Sequence, residues 1–151
     1  MICLLRGASG IVSNIIIEVS ESDLNPDLLR KKLSFGGCGA IVSFIGITRD
    51  LEYGEVVKNL QFDAWLERLE PTLREIAVKN KKKYRVSGVA IAHRVGIVKP
   101  QENIVAIHVC SPHRKEAFKA CSKIIDDLKE QAPLWKKEVT DSGERWKKGL
   151  G

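Results

Sequence analysis

The sequence predicts a single α+β domain, and three observations support this fold class. The chain has 151 residues, of which 44% are hydrophobic, and this is enough for one sizeable core. Apolar runs with strand character and amphipathic runs with helix character follow one another without a strict strand–helix–strand repeat. No internal repeat, low-complexity segment or linker divides the chain. We therefore expect one folded unit.

The strands are predicted by runs of β-branched and aromatic residues that are bounded by turn residues. They are 14–19, 39–47, 56–64, 86–96 and 103–110, with a final pair formed by WKKEVT and ERWKK around a DSG turn. The strand over 39–47 is apolar and places Thr48, Arg49 and Asp50 at its end. An arginine beside an aspartate is often only an ion pair, so these three residues alone are a weak indication of a site.

Two helices are predicted in the first half of the chain. Asn25 followed by Pro26 is typical of a helix N-terminus, and the glycines of SFGGCG end this short helix. A longer helix is expected from Leu66 to Lys82, where Pro71 indicates either a kink or a later start.

A third helix is predicted from Pro112 to about Gln131, with Ser111 as its N-cap. His113 and Arg114 then fall in its first turn, where free N–H groups and the positive end of the helix dipole gather. Such a helix start suits a phosphate group. A basic, solvated helix start explains the same residues equally well.

This helix carries an apolar stripe that we assign to the core. The stripe consists of Ala117, Phe118, Cys121, Ile124, Ile125 and Leu128. Arg114 and Lys129 lie at its edge, so Lys129 should be partly desolvated, which favours its neutral and chemically useful form. The more common role of a lysine at this position is to extend into solvent at the helix C-terminus.

The segment after this helix places a second lysine near the first. Pro133 should end the helix, Trp135 should pack down as an anchor, and Lys136 should follow in an extended segment. Two lysines that converge on one pocket disfavour each other's charged form and together stabilise negative charge.

Histidines and cysteines give no indication of a metal site. The cysteines at 3, 38, 110 and 121 lack C-x-x-C spacing, and we interpret them as reduced and mostly as small core residues. The three histidines are not paired at metal-ligand spacing, His108 is expected to be structural, and His93 to end a strand. We expect no metal and no cofactor.

Charge and hydropathy limit the class of partner. The formal net charge of +6 favours an anionic partner. The basic run over 79–85 could bind nucleic acid, but no aromatic stacking platform accompanies it, so a solvated helix end is favoured. No apolar run approaches the ~20 residues of a membrane span, and the N-terminal apolar patch is shorter than a signal peptide needs. We expect a cytoplasmic protein with neither a nucleic-acid nor a membrane partner.

Five segments in order resemble the catalytic (large) subunit of molybdopterin synthase. They are GAIVSFIGITRD (39–50), AHRVGIV (92–98), SPHRKEAFKA (111–120), LKEQAPLWKKE (128–138) and DSGERW (141–146). HR-x-x-AF followed by LK-x-x-x-P-x-WK-x-E is a specific combination. The resemblance implies a compact single domain of the α/β hammerhead type over 14–151, preceded by an extension over 1–13 of unknown role.

The resemblance also implies a reaction and its partners. The family converts cyclic pyranopterin monophosphate to molybdopterin by building the dithiolene. The sulfur comes from the C-terminal Gly-Gly thiocarboxylate of a small ubiquitin-like subunit, and two large subunits form a homodimer within a heterotetramer. Lys129 and Lys136 match the catalytic lysines. The matching substrate-pocket positions, in addition to these two lysines, are Ile47, Thr48, Arg49, His113, Arg114, Lys137 and Glu138.

One distance bears on how these residues can meet. Arg114 and Lys129 are fifteen residues apart on one helix, which is about 22 Å. A small pterin cannot bridge that distance, so His113 and Arg114 form a separate site or belong to a second subunit's pocket. We predict the second arrangement. The alternatives to an enzyme are a nucleic-acid-binding domain and a scaffold that has lost its activity.

Overall fold

The computed structural model describes residues 14–147. The N-terminal extension over 1–13, with Cys3, and residues 148–151 lie outside the described part of the chain. The elements in chain order are β1 (Ile15–Ser20), α1 (Pro26–Lys31), β2 (Ala40–Ile47), β3 (Leu51–Glu52), β4 (Glu55–Ala64), α2 (Leu66–Tyr84), β5 (Gly88–Arg94), β6 (Gly96–Val98), β7 (Asn103–Ser111), α3 (Arg114–Gln131), β8 (Leu134–Thr140) and β9 (Gly143–Lys147). The prediction of an α+β fold is confirmed.

The first sheet has the strand order β1-β5-β7-β2. β1 runs parallel to β5, whereas β5–β7 and β7–β2 are antiparallel. Among the described strands, β2 therefore lies at one edge of this sheet. β5 and most of β7 are buried, which explains why they are nearly continuous apolar runs in the sequence.

The main core lies between this sheet and the two long helices. Leu73 and Ile76 of α2 pack with Ile124 of α3 and Ile107 of β7, all at most 1% exposed. A smaller cluster forms around Leu29 of α1, where α1 packs against small residues of β5 and β7. The sheet is thus covered by helices on both faces over its central strands.

The second sheet has the order β3-β4-β8-β9, and β6 pairs with β4. The predicted strand over 86–96 therefore corresponds to β5 and reaches only the first residue of β6. Gly96 adopts a φ of +79°, which glycine accommodates readily, and β6 then leaves the first sheet to join the second. Because the chain passes from the first sheet to the second between β5 and β6, the ends of β2, β5 and α3 lie against one face of the second sheet.

The two predictions about helix starts had different outcomes. Asn25 caps α1 as predicted, since its Oδ1 accepts a hydrogen bond from the Leu28 N–H at 3.1 Å. Ser111 was the wrong choice for α3: it is the buried last residue of β7, and its carbonyl accepts a hydrogen bond from the Gly39 N–H. α3 begins at Arg114, and its N-cap is His113, which makes no capping side-chain hydrogen bond.

Two further features of the helices differ from expectation. α2 begins at Leu66 and includes Pro71, so the later start is wrong. A proline in the sixth helical position loses only one backbone hydrogen bond, and the buried face of α2 offsets that loss. The basic run over 79–85 forms the last turn and C-cap of α2, as the solvated-end interpretation predicts.

No helix in residues 14–147 is both long and apolar enough to cross a membrane. Within the same residues, His, Cys, Asp and Glu side chains form no group of three that could hold a metal ion.

Candidate active site

A cavity of about 200 Å³ lies where the first sheet, the end of α3 and the second sheet meet. Its apolar wall includes Phe44, Phe62, Ile107 and Leu128. Its polar lining consists of Arg49, Glu52, His93, Lys129, Lys136 and Glu138. The cavity is smaller than the roughly 300–1,000 Å³ that encloses a drug-sized ligand.

Three cations of the cavity come from three different elements. Arg49 follows β2, Lys129 lies in the last turn of α3, and Lys136 is on β8. The corner between α3 and β8 sets the spacing of the two lysines. Ala132 leaves the helix with extended backbone angles, and the carbonyl of Pro133 accepts a hydrogen bond from the Trp65 N–H at 3.1 Å.

Strand alternation decides which β8 side chains face the cavity. Leu134, Lys136 and Glu138 share the inward face, whereas Trp135 and Lys137 share the outward face. The expectation that Trp135 packs down is therefore wrong, and its side chain is 54% exposed. A strand that turns Lys136 inward must turn its neighbour outward.

Lys136 is half-buried, and its pKa is lowered. Desolvation is the largest cause, and the positive charges of Lys147 and Arg49 act in the same direction. Glu52 and Glu138 oppose the change. The prediction that Lys129 lowers the pKa of Lys136 is therefore wrong: the cations that lower it are Lys147, which has the larger effect, and Arg49.

A buried ion-pair network lies beneath Lys136. Glu138 is fully buried, and its Oε1 accepts hydrogen bonds from Arg145 Nε at 2.9 Å and Nη2 at 2.7 Å. Lys147 Nζ lies 3.4 Å from Glu138 Oε2 and 2.9 Å from Glu52 Oε1. Hydrogen bonding with Glu138 and Lys147, in that order, lowers the pKa of Glu52 to about 2.

Glu52 also connects this network to Arg49. The Arg49 Nη1 lies 3.4 Å from Glu52 Oε1, while the Arg49 side chain remains largely exposed. The structure therefore pairs Arg49 with Glu52 rather than with the adjacent Asp50. Because the Arg49 side chain is 74% exposed, an anionic ligand can reach it and compete with Glu52 for it.

His93 is a fully buried part of the cavity lining. Its Nδ1 lies 2.6 Å from the carbonyl of Arg94, and its ring meets the ring of Phe62 edge-on at 5.5 Å between centroids. Burial lowers the pKa of His93 to about 4, although the backbone hydrogen bond opposes this change. The ring is therefore neutral near pH 7.

The structure brings together some of the predicted site residues and separates others. Ile47, Arg49, Lys129, Lys136 and Glu138 line the cavity. The remaining four do not: Thr48 is buried, Lys137 faces outward with its Nζ 3.3 Å from Glu144, and His113 and Arg114 are exposed at the opposite end of α3.

Two expectations about side-chain exposure on α3 are wrong. Phe118 is 61% exposed, because Ala117, Ala120 and Cys121 form the buried face at this level of the helix. Lys129 is exposed at the cavity rim rather than partly desolvated.

The sequence analysis missed Glu52, His93 and Lys147. Lys147 could have been found from the DSG turn, because the hairpin register pairs it directly with Lys136. The burial of His93 and the contact of Glu52 depend on how the two sheets meet, and no local pattern encodes that.

The chain is similar to known proteins. The family model described as MoaE protein matches residues 19–131. A molybdopterin synthase catalytic subunit of Thermoplasma volcanium is 38% identical over 130 residues, which is 86% of this chain and 95% of that protein. The corresponding subunit of Bacillus subtilis is 33% identical, over 85% of this chain and 82% of its own length.

A solved structure has the same fold. The crystal structure of molybdopterin synthase from Staphylococcus aureus matches with a TM-score of 0.81 and 29% identity, over 89% of this chain and 97% of that chain.

Proposed function

Because the chain belongs to the MoaE protein family of molybdopterin synthase catalytic subunits and so serves molybdenum cofactor biosynthesis, we propose that its cavity is the site of sulfur transfer. The substrate is cyclic pyranopterin monophosphate, and the sulfur donor is the C-terminal Gly-Gly thiocarboxylate of a small ubiquitin-like subunit. In the net reaction, two donor tails each lose their acyl carbon–sulfur bond, and each sulfur replaces an oxygen on a side-chain carbon of the pterin. One of these replacements opens the cyclic phosphate, and the other releases its oxygen as water. Water supplies the oxygen that restores the donor's carboxylate.

The observation that carries this proposal is the convergence of Arg49, Lys129 and Lys136 on one cavity. The substrate's phosphate and the thiocarboxylate are both anions, and their mutual repulsion must be offset before sulfur can attack carbon. Three cations in a partly apolar cavity supply that offset.

We assign different roles to the two lysines. Lys129, exposed at the rim, meets the carbonyl of the incoming peptide tail. Lys136, half-buried and with a lowered pKa, binds the substrate and exchanges a proton with it, because a lysine with a lowered pKa loses its proton more readily near neutral pH. Glu138 acts from beneath by holding the β8–β9 hairpin in place.

We further propose that His113 and Arg114 complete the cavity of a second copy of the chain. Within one chain they lie about 22 Å of helix away from Lys129. Among the described strands none pairs with the outer edge of β2, and this edge supports a pairing that closes the gap. The cavity lies at the Ile47 end of β2, whereas the start of β2 is bound to Ser111, two residues before His113.

Antiparallel pairing of two β2 edges would place the start of one strand beside the end of the other. The exposed helix start of one copy would then approach the other copy's cavity. The same pairing would cover Ile41, Ile45 and Ile47, which are 37–56% exposed. The functional unit is accordingly a homodimer that binds one small subunit at each cavity, a heterotetramer.

Reconstitution tests the proposed function. Purified chain, cyclic pyranopterin monophosphate and a thiocarboxylated small subunit should give the dithiolene product. Lys129→Ala should lower the rate by on the order of 100-fold or more. Lys58→Ala removes a lysine whose ion pair with Asp141 lies on the surface of the second sheet, and it should retain the wild-type rate. Equal rates for Lys129→Ala and wild type would refute the assignment.

A further inference from the structure

Lys136 lies directly opposite another lysine. In the β8–β9 hairpin, Lys136 pairs with Lys147 and Glu138 pairs with Arg145. Directly opposed residues place their side chains on the same face with Cβ atoms roughly 4.5–5.5 Å apart, so two like charges there are unfavourable. The hairpin therefore needs a compensating negative charge at this position.

Glu52 supplies that charge from a different part of the chain. It lies on β3, and its Oε1 is 2.9 Å from Lys147 Nζ. Both side chains of this ion pair are 17% exposed, so solvent screens it less than a surface pair. Lys147 also lies 5.3 Å from the ring centroid of Tyr53, which helps to fix its position.

The β3–β4 turn is held against β9 by further contacts. Ser142 Oγ donates a hydrogen bond to Glu55 Oε1 at 2.5 Å, and Arg145 lies over the ring of Tyr53 at 5.6 Å. The Glu52–Lys147 pair is thus part of a fixed junction between two hairpins, and it has one charge on each side of that junction.

We propose that the Glu52–Lys147 ion pair is a positioning element that sets how readily Lys136 gains and loses its proton. Lys147 disfavours the charged form of Lys136, and Glu52 favours it. Neither residue needs to touch the substrate for this effect. The inference rests on the proposed function only in assigning Lys136 a proton-transfer role, because its ionisation can be measured without turnover.

Other charged or titratable side chains line the cavity together with Lys136 and Glu52. Arg49 follows β2, Lys129 is on α3 and His93 on β5 is neutral near pH 7. Glu138, on the same strand as Lys136, is shared between Arg145 and Lys147. Within this set, Glu52 and Lys147 are bound to each other, so removal of either one leaves its partner less compensated beside Lys136, although Glu138 still pairs with Lys147.

The two single variants should therefore act in opposite directions. Lys147→Gln removes a cation and leaves Glu52 and Glu138 to attract Lys136, so the pKa of Lys136 should rise by roughly half a pH unit or more. Glu52→Gln removes an anion that favours the charged form of Lys136 and leaves Lys147 paired with Glu138 alone, so the pKa of Lys136 should fall. The double variant should return towards the wild-type value, because the two effects oppose each other.

Competitive labelling measures this ionisation directly. The folded chain is treated with trace acetic anhydride across pH 6–11, and the acetylation of Lys136 is followed by peptide mass spectrometry. Lys58→Gln is the control, because it removes one positive charge elsewhere on the second sheet. Lys147→Arg keeps the positive charge and should leave the Lys136 titration close to wild type.

Opposite shifts in the two single variants support the proposal. Shifts in the same direction, or no shift in either, overturn it, since general loosening of the hairpin would move both variants alike. If Lys147→Gln does not fold, Glu52→Gln still decides the question: a pKa of Lys136 that stays the same or rises overturns the proposal. Failure of the wild-type chain to form dithiolene would overturn the proposed function and leave these titrations unaffected.

Discussion

Mixed dimers provide a quantitative test of a cavity shared between two subunits. The perturbation is a pair of inactive variants, Lys129→Ala and Arg114→Ala, expressed together with different affinity tags. Helix geometry places these two residues about 22 Å apart in one chain, so one chain cannot offer both to a small pterin. If the cavity takes Lys129 from one copy and Arg114 from the other, a mixed dimer contains one intact site and one site that lacks both side chains.

The expected magnitude follows from this count of sites. Purified mixed dimers should show about half of the wild-type rate of dithiolene formation, and an unsorted equal mixture about a quarter, because about half of its dimers are mixed. Each parent variant alone should have little activity. The assay is reconstituted product formation with the thiocarboxylated small subunit in excess.

A second pair of variants serves as the matched control. Lys129 and Lys136 line the cavity of the same chain, so mixing Lys129→Ala with Lys136→Ala leaves every site without one lysine and should restore nothing. Recovery in this control, or no recovery in the Lys129–Arg114 mixture, would refute the shared cavity.

Two further predictions concern stability. Glu138→Ala should lower the free energy of unfolding by about 2–3 kcal/mol in urea titrations. This is less than the ~3–5 kcal/mol expected when a fully buried ion pair is broken, because Arg145 is 42% exposed and water can solvate it again. A loss below about 1 kcal/mol would contradict the structural role of Glu138. The folded-state pKa of His93 is about 4, below the ordinary value of 6.5, so the unfolded chain binds the proton first and stability should be lost as the pH falls from 6.5 to 4. The loss of stability should approach about 3 kcal/mol. In urea titrations, the free energy of unfolding of His93→Gln should depend less on pH than that of wild type. An equally steep dependence in the variant would contradict the burial argument.

Most of the fold could be predicted because local patterns encode it. The β-branched runs predicted most strands of both sheets but missed the short strands β3 and β6, and the Asn25–Pro26 pair predicted the start of α1. The apolar stripe predicted the buried face of α3 but wrongly included Phe118. A spacing of 100° per residue gives the direction of the buried face but not how wide that face is at each turn of the helix. The N-cap at Ser111 failed because strand pairing with β2 extends to that residue and takes precedence over a local capping preference.

The candidate site could be predicted only in part, for a similar reason. Arg49, Lys129 and Lys136 lie at element ends or on an alternating strand, where the sequence indicates their direction. Glu52 and His93 enter the cavity through the junction of the two sheets, which depends on contacts between distant segments. Long-range contacts of this kind leave no periodic trace in the sequence.

The most direct test of the sulfur-transfer site follows the sulfur atom itself. A small subunit whose thiocarboxylate carries a heavy sulfur isotope is mixed with the chain and cyclic pyranopterin monophosphate, and the product is weighed by mass spectrometry. We predict that both dithiolene sulfurs carry the label with the wild-type chain, and that Lys136→Ala transfers it at least about 100-fold more slowly. An unlabelled product, or transfer by Lys136→Ala at the wild-type rate, would contradict the assignment of this cavity.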